Sequence, residues 1–304
     1  VNRPRDPLEG SEGVVDQGGP GDRSIGSLLA DTLRLDAEQI ERILAWQREH
    51  GVRFGEAAVA LGYARTDDVL FALAQQYHYP MAAEERRQAS PELVTLNDAF
   101  GTQAEAFRAI RSQAMMRVWG ATPPTGGPAP RALAVLSPSS GDGKTFFAAN
   151  LAVTLAQLGG RTLLVDADLR GPRLHEVFGL PNPAGLSGIL SGRADRHVVQ
   201  RVPGVPSLFL LPAGPTPPNP LELVERPAFA RLMTELCSRF EHVVVDTPAH
   251  EFGADGPVIA SRCGSALLVA RRNASRLAAL QRLLGASGAG PVRVVGVVLN
   301  EFAG

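Results

Sequence analysis

"LSPSSGDGKTFFAANLAVTLAQLG", residues 136–159, leaves an apolar segment, passes through a turn with two glycines and continues in helix-forming residues. It contains Lys144, the only lysine in a chain whose other basic residues are all arginine. "ALAVLS" (132–137) reads as a strand and 144–158 as a helix, so the turn has the setting of a phosphate-binding loop. Backbone N–H groups around Gly141 and Gly143 would wrap a polyphosphate, and the helix dipole adds positive potential. A compact ammonium on a flexible stem reaches between β- and γ-phosphate oxygens where a planar guanidinium does not fit. That accounts for one lysine in an arginine-rich chain. The candidate nucleotide contacts are Ser140, Gly141, Asp142, Gly143, Lys144, Thr145 and Phe146, with the Thr145 hydroxyl available to Mg²⁺. Pro138 stands where the general G-x-x-x-x-G-K-[ST] pattern begins with glycine, which stiffens the start of the loop.

Further strands are predicted at 162–168, 208–213, 242–247, 266–271 and 292–300, nearly continuous in apolar residues as strands buried on both faces must be. Helix-length segments such as 227–239 separate most of them, so the fold class is α/β, a mostly parallel sheet with flanking helices. "LLVDADLR" (163–170) and "VVVDTP" (243–248) set Asp166, Asp168 and Asp246 just past the carboxyl ends of two strands, where ligands bind in open α/β sheets. Each aspartate alone reads equally as a cap or turn former. Three beside a phosphate loop favour metal and phosphoryl chemistry.

The chain has 304 residues, room for two domains, and 44% apolar residues. Its net charge of −1, without a basic patch, argues against nucleic acid as a partner. Two cysteines, Cys237 and Cys263, fit packed thiols in a reducing compartment. With neither a signal-peptide pattern nor a long apolar run, a soluble, cytoplasmic chain is expected.

Ahead of the sheet, residues 1–23 read as a disordered tail and 81–103 as a polar linker. Between them, "SIGSLLADTLRLDAEQIERILAWQ" (24–47) superposes without gaps on "RFGEAAVALGYARTDDVLFALAQQ" (53–76). Gly26 matches Gly55, and Gln47 matches Gln76. Each copy predicts two short helices, the second capped by Asp36 or Thr66, giving a small all-helical domain over 24–80. "QAEAFRAIRSQAMMRVW" (103–119) predicts one further helix, on which Glu105, Arg108 and Arg111 share a face.

The series of phosphate loop, apolar-D-x-D-x-R and apolar-D-x-x-P resembles the bacterial tyrosine kinases of capsule and exopolysaccharide assembly. The resemblance covers roughly 104–304, includes "GLSGIL" (185–190) and "LPAGPTPPNPLELV" (211–224), and is strongest to the soluble chain-length-determinant kinases. It implies phosphoryl transfer from ATP·Mg²⁺ to protein tyrosines. Lys144 would hold the phosphates, Thr145 would ligate the metal, and Asp166 would orient or deprotonate the acceptor hydroxyl. Asp168 and Asp246 would position the metal and its waters, with Asp166 also in the metal set, and Asn300 would reach the adenine. The E-x-x-R-x-x-R spacing of Glu105, Arg108 and Arg111 implies a homo-oligomer. A membrane-embedded polysaccharide co-polymerase is the implied partner, holding the chain at the periphery of the inner membrane. The family's tyrosine-rich tail is not expected here. The only tyrosines are Tyr63, Tyr77 and Tyr79, of which Tyr77 and Tyr79 are the candidate phosphoacceptors, in trans.

The repeat resembles the N-terminal domain of type II secretion and pilus ATPases, which binds cyclic di-GMP. Its second copy keeps Arg53, Gly55, Gly62 and Gln76, whereas Ser24 and Leu33 replace an arginine and a glycine in the first. A cyclic di-GMP site and a helical protein-interaction module both remain open. So do two alternatives to the kinase: a non-catalytic ATP-binding assembly switch, and a partition-type ATPase. The latter carries an early loop lysine at the position of Ser139.

Overall fold

The computed structural model describes residues 25–76, 90–120, 132–193, 198–288 and 292–301. It comprises two compact units, Val1–Tyr79 and Pro80–Gly304. Tyr77, Tyr79, the tail 1–23 and residues 81–89 of the expected linker lie outside the described residues.

The N-terminal unit is two helix pairs, α1 (Ile25–Leu33) with α2 (Ala37–His50), and α3 (Phe54–Ala60) with α4 (Thr66–Gln76). The starts of corresponding helices are displaced by the period of the sequence repeat. Asp36 caps α2 in a reciprocal box with Gln39, its carboxylate accepting from Gln39 N at 2.8 Å. In the second copy Thr66 is the first helical residue instead of the cap, and Asp68 accepts from Arg65 N at 2.8 Å. Ile43, Ala57, Ala58 and Ala64 form the small core, with Trp46, Phe54 and Tyr63 packed on it.

The larger unit is a seven-stranded sheet of order β3-β4-β2-β5-β1-β6-β7. Its strands are β1 (Ala132–Leu136), β2 (Thr162–Asp166), β3 (Gln200–Arg201), β4 (Leu208–Leu211), β5 (His242–Asp246), β6 (Gly264–Arg271) and β7 (Arg293–Asn300). All neighbours are parallel except β3, a short antiparallel edge on β4 that was not expected from the sequence, where two residues carry no periodicity. Alternate residues of β1 feed opposite faces. Leu133 and Val135 join the cluster around α7 (Lys144–Ala156), and Ala132, Ala134 and Leu136 join the one under α11 (Pro227–Arg239). α7 is buried on almost every side, as expected of a helix held between the sheet and a second layer.

Two expectations change here. The helix over 103–119 is α6 (Thr102–Ala114) followed by a π-turn, Met115–Trp119, whose Arg117 guanidinium donates to Val295 O at 2.6 Å. The end of the expected linker is a packed strap: α5 (Val94–Asn97) buries Thr95 and Leu96 against the sheet domain. Asn150 of α7 fixes it, its Oδ1 accepting from Thr95 N (3.0 Å) and Thr95 Oγ1 (2.9 Å), its Nδ2 donating to Glu92 O (2.8 Å) and Phe146 O (2.9 Å). A single buried amide turns a polar stretch into fixed structure, and so short a segment carries no periodicity to announce it.

Candidate functional site

The phosphate loop sits at the carboxyl edge of the sheet, between β1 and α7. Gly141 (φ 80°) and Gly143 (φ 96°) take the left-handed conformation that L side chains rarely adopt, so glycine is required to turn the loop onto the helix. At Gly143 a Cβ would also collide with the Asn300 amide, which donates to Asp142 O at 3.0 Å. Asp142 itself is buried. Its carboxylate accepts from Ser139 N at 2.8 Å and from the Ser275 hydroxyl at 2.6 Å, so its side chain braces the loop from within. The sequence reading placed Asp142 and Asn300 on the ligand; the structure commits the Asp142 carboxylate to bracing, and Asn300 Nδ2 to the loop. Glu251, which the sequence reading missed, accepts from Ser140 N at 2.5 Å.

A cavity of about 940 Å³ opens over the loop. Ser140, Gly141, Gly143, Lys144, Thr145 and Phe146 line one side, and Asp168, Arg173, Phe252 and Asn300 contribute elsewhere. The strap supplies Pro91, Glu92 and Val94, and a Glu92–Arg173 ion pair at 2.6 Å stands at this wall. Part of the stretch expected as linker therefore forms the wall of the cavity.

Lys144 Nζ lies 3.4 Å from Asp168 Oδ2, with about a tenth of each side chain exposed. The other oxygen of Asp168 accepts from Arg170 N (3.2 Å) and Gly171 N (2.9 Å). Asp168 thus serves as turn former and counterion to Lys144, both oxygens taken by protein groups. Beside it, Arg170 makes a two-pronged pair with buried Asp255, at 3.2 and 3.0 Å.

Asp166 and Asp246 lie beneath, fully buried and directly paired in register across β2 and β5. Asp166 Oδ2 accepts from Leu174 N at 3.1 Å and Asp246 Oδ1 from Thr247 N at 3.1 Å; Asp166 Oδ1 and Asp246 Oδ2 have no partner. Burial, then the Asp246 carboxyl, pushes Asp166 well above the usual carboxylate range. Burial raises Asp246 to about 6, against the opposing pull of the Lys144 ammonium and the Thr145 hydroxyl. Two unpartnered buried carboxylate oxygens next to a threonine hydroxyl suit a hard cation. The described residues hold no cluster of three or more His, Cys, Asp or Glu able to bind a metal unaided. The free oxygens of Asp166 and Asp246 suit Mg²⁺, which takes one or two carboxylates and completes its shell with phosphates and water.

On α6, Arg108 Nε pairs with Glu105 Oε2 (2.7 Å) and its Nη1 donates to Ala99 O (2.7 Å), while Arg111 Nη1 donates to Thr154 O of α7 (3.0 Å). The helix face is therefore partly engaged within the chain, with Glu105 its exposed member. Tyr63 is half-buried and accepts from Arg42 Nη1 at 3.4 Å. No helix among the described residues is long and apolar enough to cross a membrane.

Residues 133–304 match the CobQ/CobB/MinD/ParA nucleotide binding domain family. The putative tyrosine-protein kinase CapB of Staphylococcus aureus is 35% identical over 204 residues, 66% of this chain and 85% of that protein. Several longer tyrosine-protein kinases match as well, and the chain spans only 22–29% of their length. Among solved structures, the chimerical protein CapA2B2 superposes with a TM-score of 0.63 at 29% identity, covering 76% of this chain and 98% of that one. The kinase domain of the Escherichia coli tyrosine kinase ETK gives 0.60 at 30% identity, over 68% of this chain and 79% of that domain.

Proposed function

The chain belongs to the CobQ/CobB/MinD/ParA nucleotide-binding family, among the bacterial tyrosine kinases, and we propose that it transfers the γ-phosphoryl group of ATP to protein tyrosines. The observation that carries this reading is the register pair Asp166 and Asp246, each with an oxygen free of protein partners, with the Lys144 ammonium of the phosphate loop acting on Asp246. In this reading the phosphates of ATP draw Lys144 away from Asp168, and the glycine turn supplies N–H groups to them. Thr145 and Asp246 would hold Mg²⁺, which would neutralise phosphate charge when bound. The tyrosine hydroxyl loses its proton to Asp166 Oδ1 as its oxygen bonds to the γ-phosphorus and ADP leaves. Burial, then the Asp246 carboxyl, makes the Asp166 carboxylate a stronger proton acceptor for that step. Incubation with labelled ATP and Mg²⁺, followed by phosphotyrosine detection, tests the reading.

The biological setting proposed is control of exopolysaccharide chain length and export, at the inner membrane through a membrane-embedded co-polymerase. Support comes from the kinase relatives and from the exposure of Glu105 on α6, available to a second copy of the chain. The N-terminal unit is proposed to be a helical interaction module. Titration with cyclic di-GMP discriminates this from a nucleotide site: saturable binding lost in Arg53→Ala would replace the module by a receptor.

A further inference from the structure

Pro138 and Ser139, at the start of the phosphate loop, also line a second cavity, of about 410 Å³. The loop contributes Pro138 and Ser139, the 3₁₀ turn His250–Phe252 contributes His250 and Glu251, and α13 (Leu277–Gly288) with the residue before it contributes Arg276, Ala279 and Arg282. Arg276, Ala279 and Arg282 recur at i, i+3 and i+6, which sets them along one side of the helix. The small Ala279 leaves space between the two guanidinium groups. Neither guanidinium has a partner among the described residues. His250 Nδ1 is buried and has none either. The one acid on the wall, Glu251, is engaged by Ser140 N.

Two unpaired guanidinium groups, an unpaired imidazole nitrogen and a hydroxyl-bearing loop make a site for a tetrahedral oxyanion, for which arginine forks are matched donors. Pro138, Ala274 and Ala279 add apolar atoms to the wall. We propose that this cavity is a second anion site, distinct from the nucleotide cavity, that takes a phosphomonoester. Two sources present that chemistry: a phosphotyrosyl side chain, whose assignment rests on the kinase reading, and inorganic phosphate. Its nearness to Ser139 and to the Glu251–Ser140 contact puts an occupant in touch with the backbone of the phosphate loop.

The test keeps the nucleotide cavity filled, so that phosphate does not report on Lys144. The full chain, saturated with a non-hydrolysable ATP analogue and Mg²⁺, is titrated calorimetrically with O-phosphotyrosine and separately with inorganic phosphate. Saturable binding is expected, weakened about tenfold or more in Arg276→Ala/Arg282→Ala. ADP affinity, measured on the same variant, is expected to stay as in the parent, which separates failure of this site from failure of the nucleotide reading. Tighter binding of phosphotyrosine than of phosphate assigns the protein-borne source, and equal binding assigns free phosphate. No saturable binding of either, or binding indifferent to both exchanges, overturns the proposal.

Discussion

Asp166 and Asp246 are register partners on adjacent parallel strands, so two buried carboxyl groups end side by side, each with one oxygen that no protein group satisfies. Such a pair is costly to the empty protein and useful to a bound cation. Its electrostatics set the first expected outcome.

Asp246 has its pKa raised from 3.8 to about 6 by burial. Between those values the folded chain binds more protons than the unfolded one, so this group's contribution to stability is full below about pH 4 and is lost as pH rises through about 6. Asp166 shifts in the same direction. Asp246→Asn is therefore expected to stabilise the nucleotide-free protein at pH 7.5, by on the order of 3 kcal/mol, and to give no gain at pH 4. Urea unfolding at the two pH values checks this; an equal gain at both would contradict it.

In the proposed reading, Lys144 carries the nucleotide contact. Lys144→Ala is expected to lower ATP affinity at least about a hundredfold, and Lys144→Arg to impair it too, because the guanidinium fork does not match the loop. Isothermal titration of both variants reads this directly, and unchanged affinity in Lys144→Ala would remove the basis of the nucleotide reading.

Asn150 ties the strap to the helix that carries Lys144. Asn150→Ala strips the partner from the buried Thr95 N–H and hydroxyl and should cost about 2–4 kcal/mol. The strap also walls the nucleotide cavity, so KM for ATP should rise along with the loss of stability. A destabilised variant with unaltered KM would mean that the wall has no part in binding.

The arginines of α6 cannot be removed at no cost to the fold. Arg111 holds the carbonyl of Thr154, and Arg108 that of Ala99, so the double alanine variant should lose about 1–3 kcal/mol of stability. Glu105→Ala is the cleaner probe: light scattering should show a smaller assembly while the melting temperature stays within a few degrees. An unchanged mass would count against a role for this helix face in assembly.

The sheet was legible because strands buried on both faces must be continuously apolar; β1, β2, β4 and β5 start where the sequence puts them, β7 one residue later and β6 two residues earlier. The position of Lys144 in the loop was equally legible, since loop, strand and helix each constrain it locally. The loop's braces were not. Asp142 meets Ser275, and Ser140 meets Glu251, across more than a hundred residues, and no local pattern marks such partners. The strap failed to show for a related reason: its burial depends on one amide of α7, not on any period of its own. The contacts of Asp168 were not legible either: the resemblance implies a role at the metal, and in the nucleotide-free chain its two oxygens meet Lys144 and the backbone N–H groups of Arg170 and Gly171.

Mass spectrometry after incubation with ATP and Mg²⁺, with a tyrosine-containing polymer as acceptor, reads out phosphoryl transfer to tyrosine at the Lys144–Asp166–Asp246 site. Phosphate is expected on tyrosine, in the polymer or on Tyr77 or Tyr79 of a second copy, and none in Asp166→Asn. Tight ATP binding with no phosphotyrosine on chain or polymer, or labelling that persists in Asp166→Asn, would contradict the kinase reading.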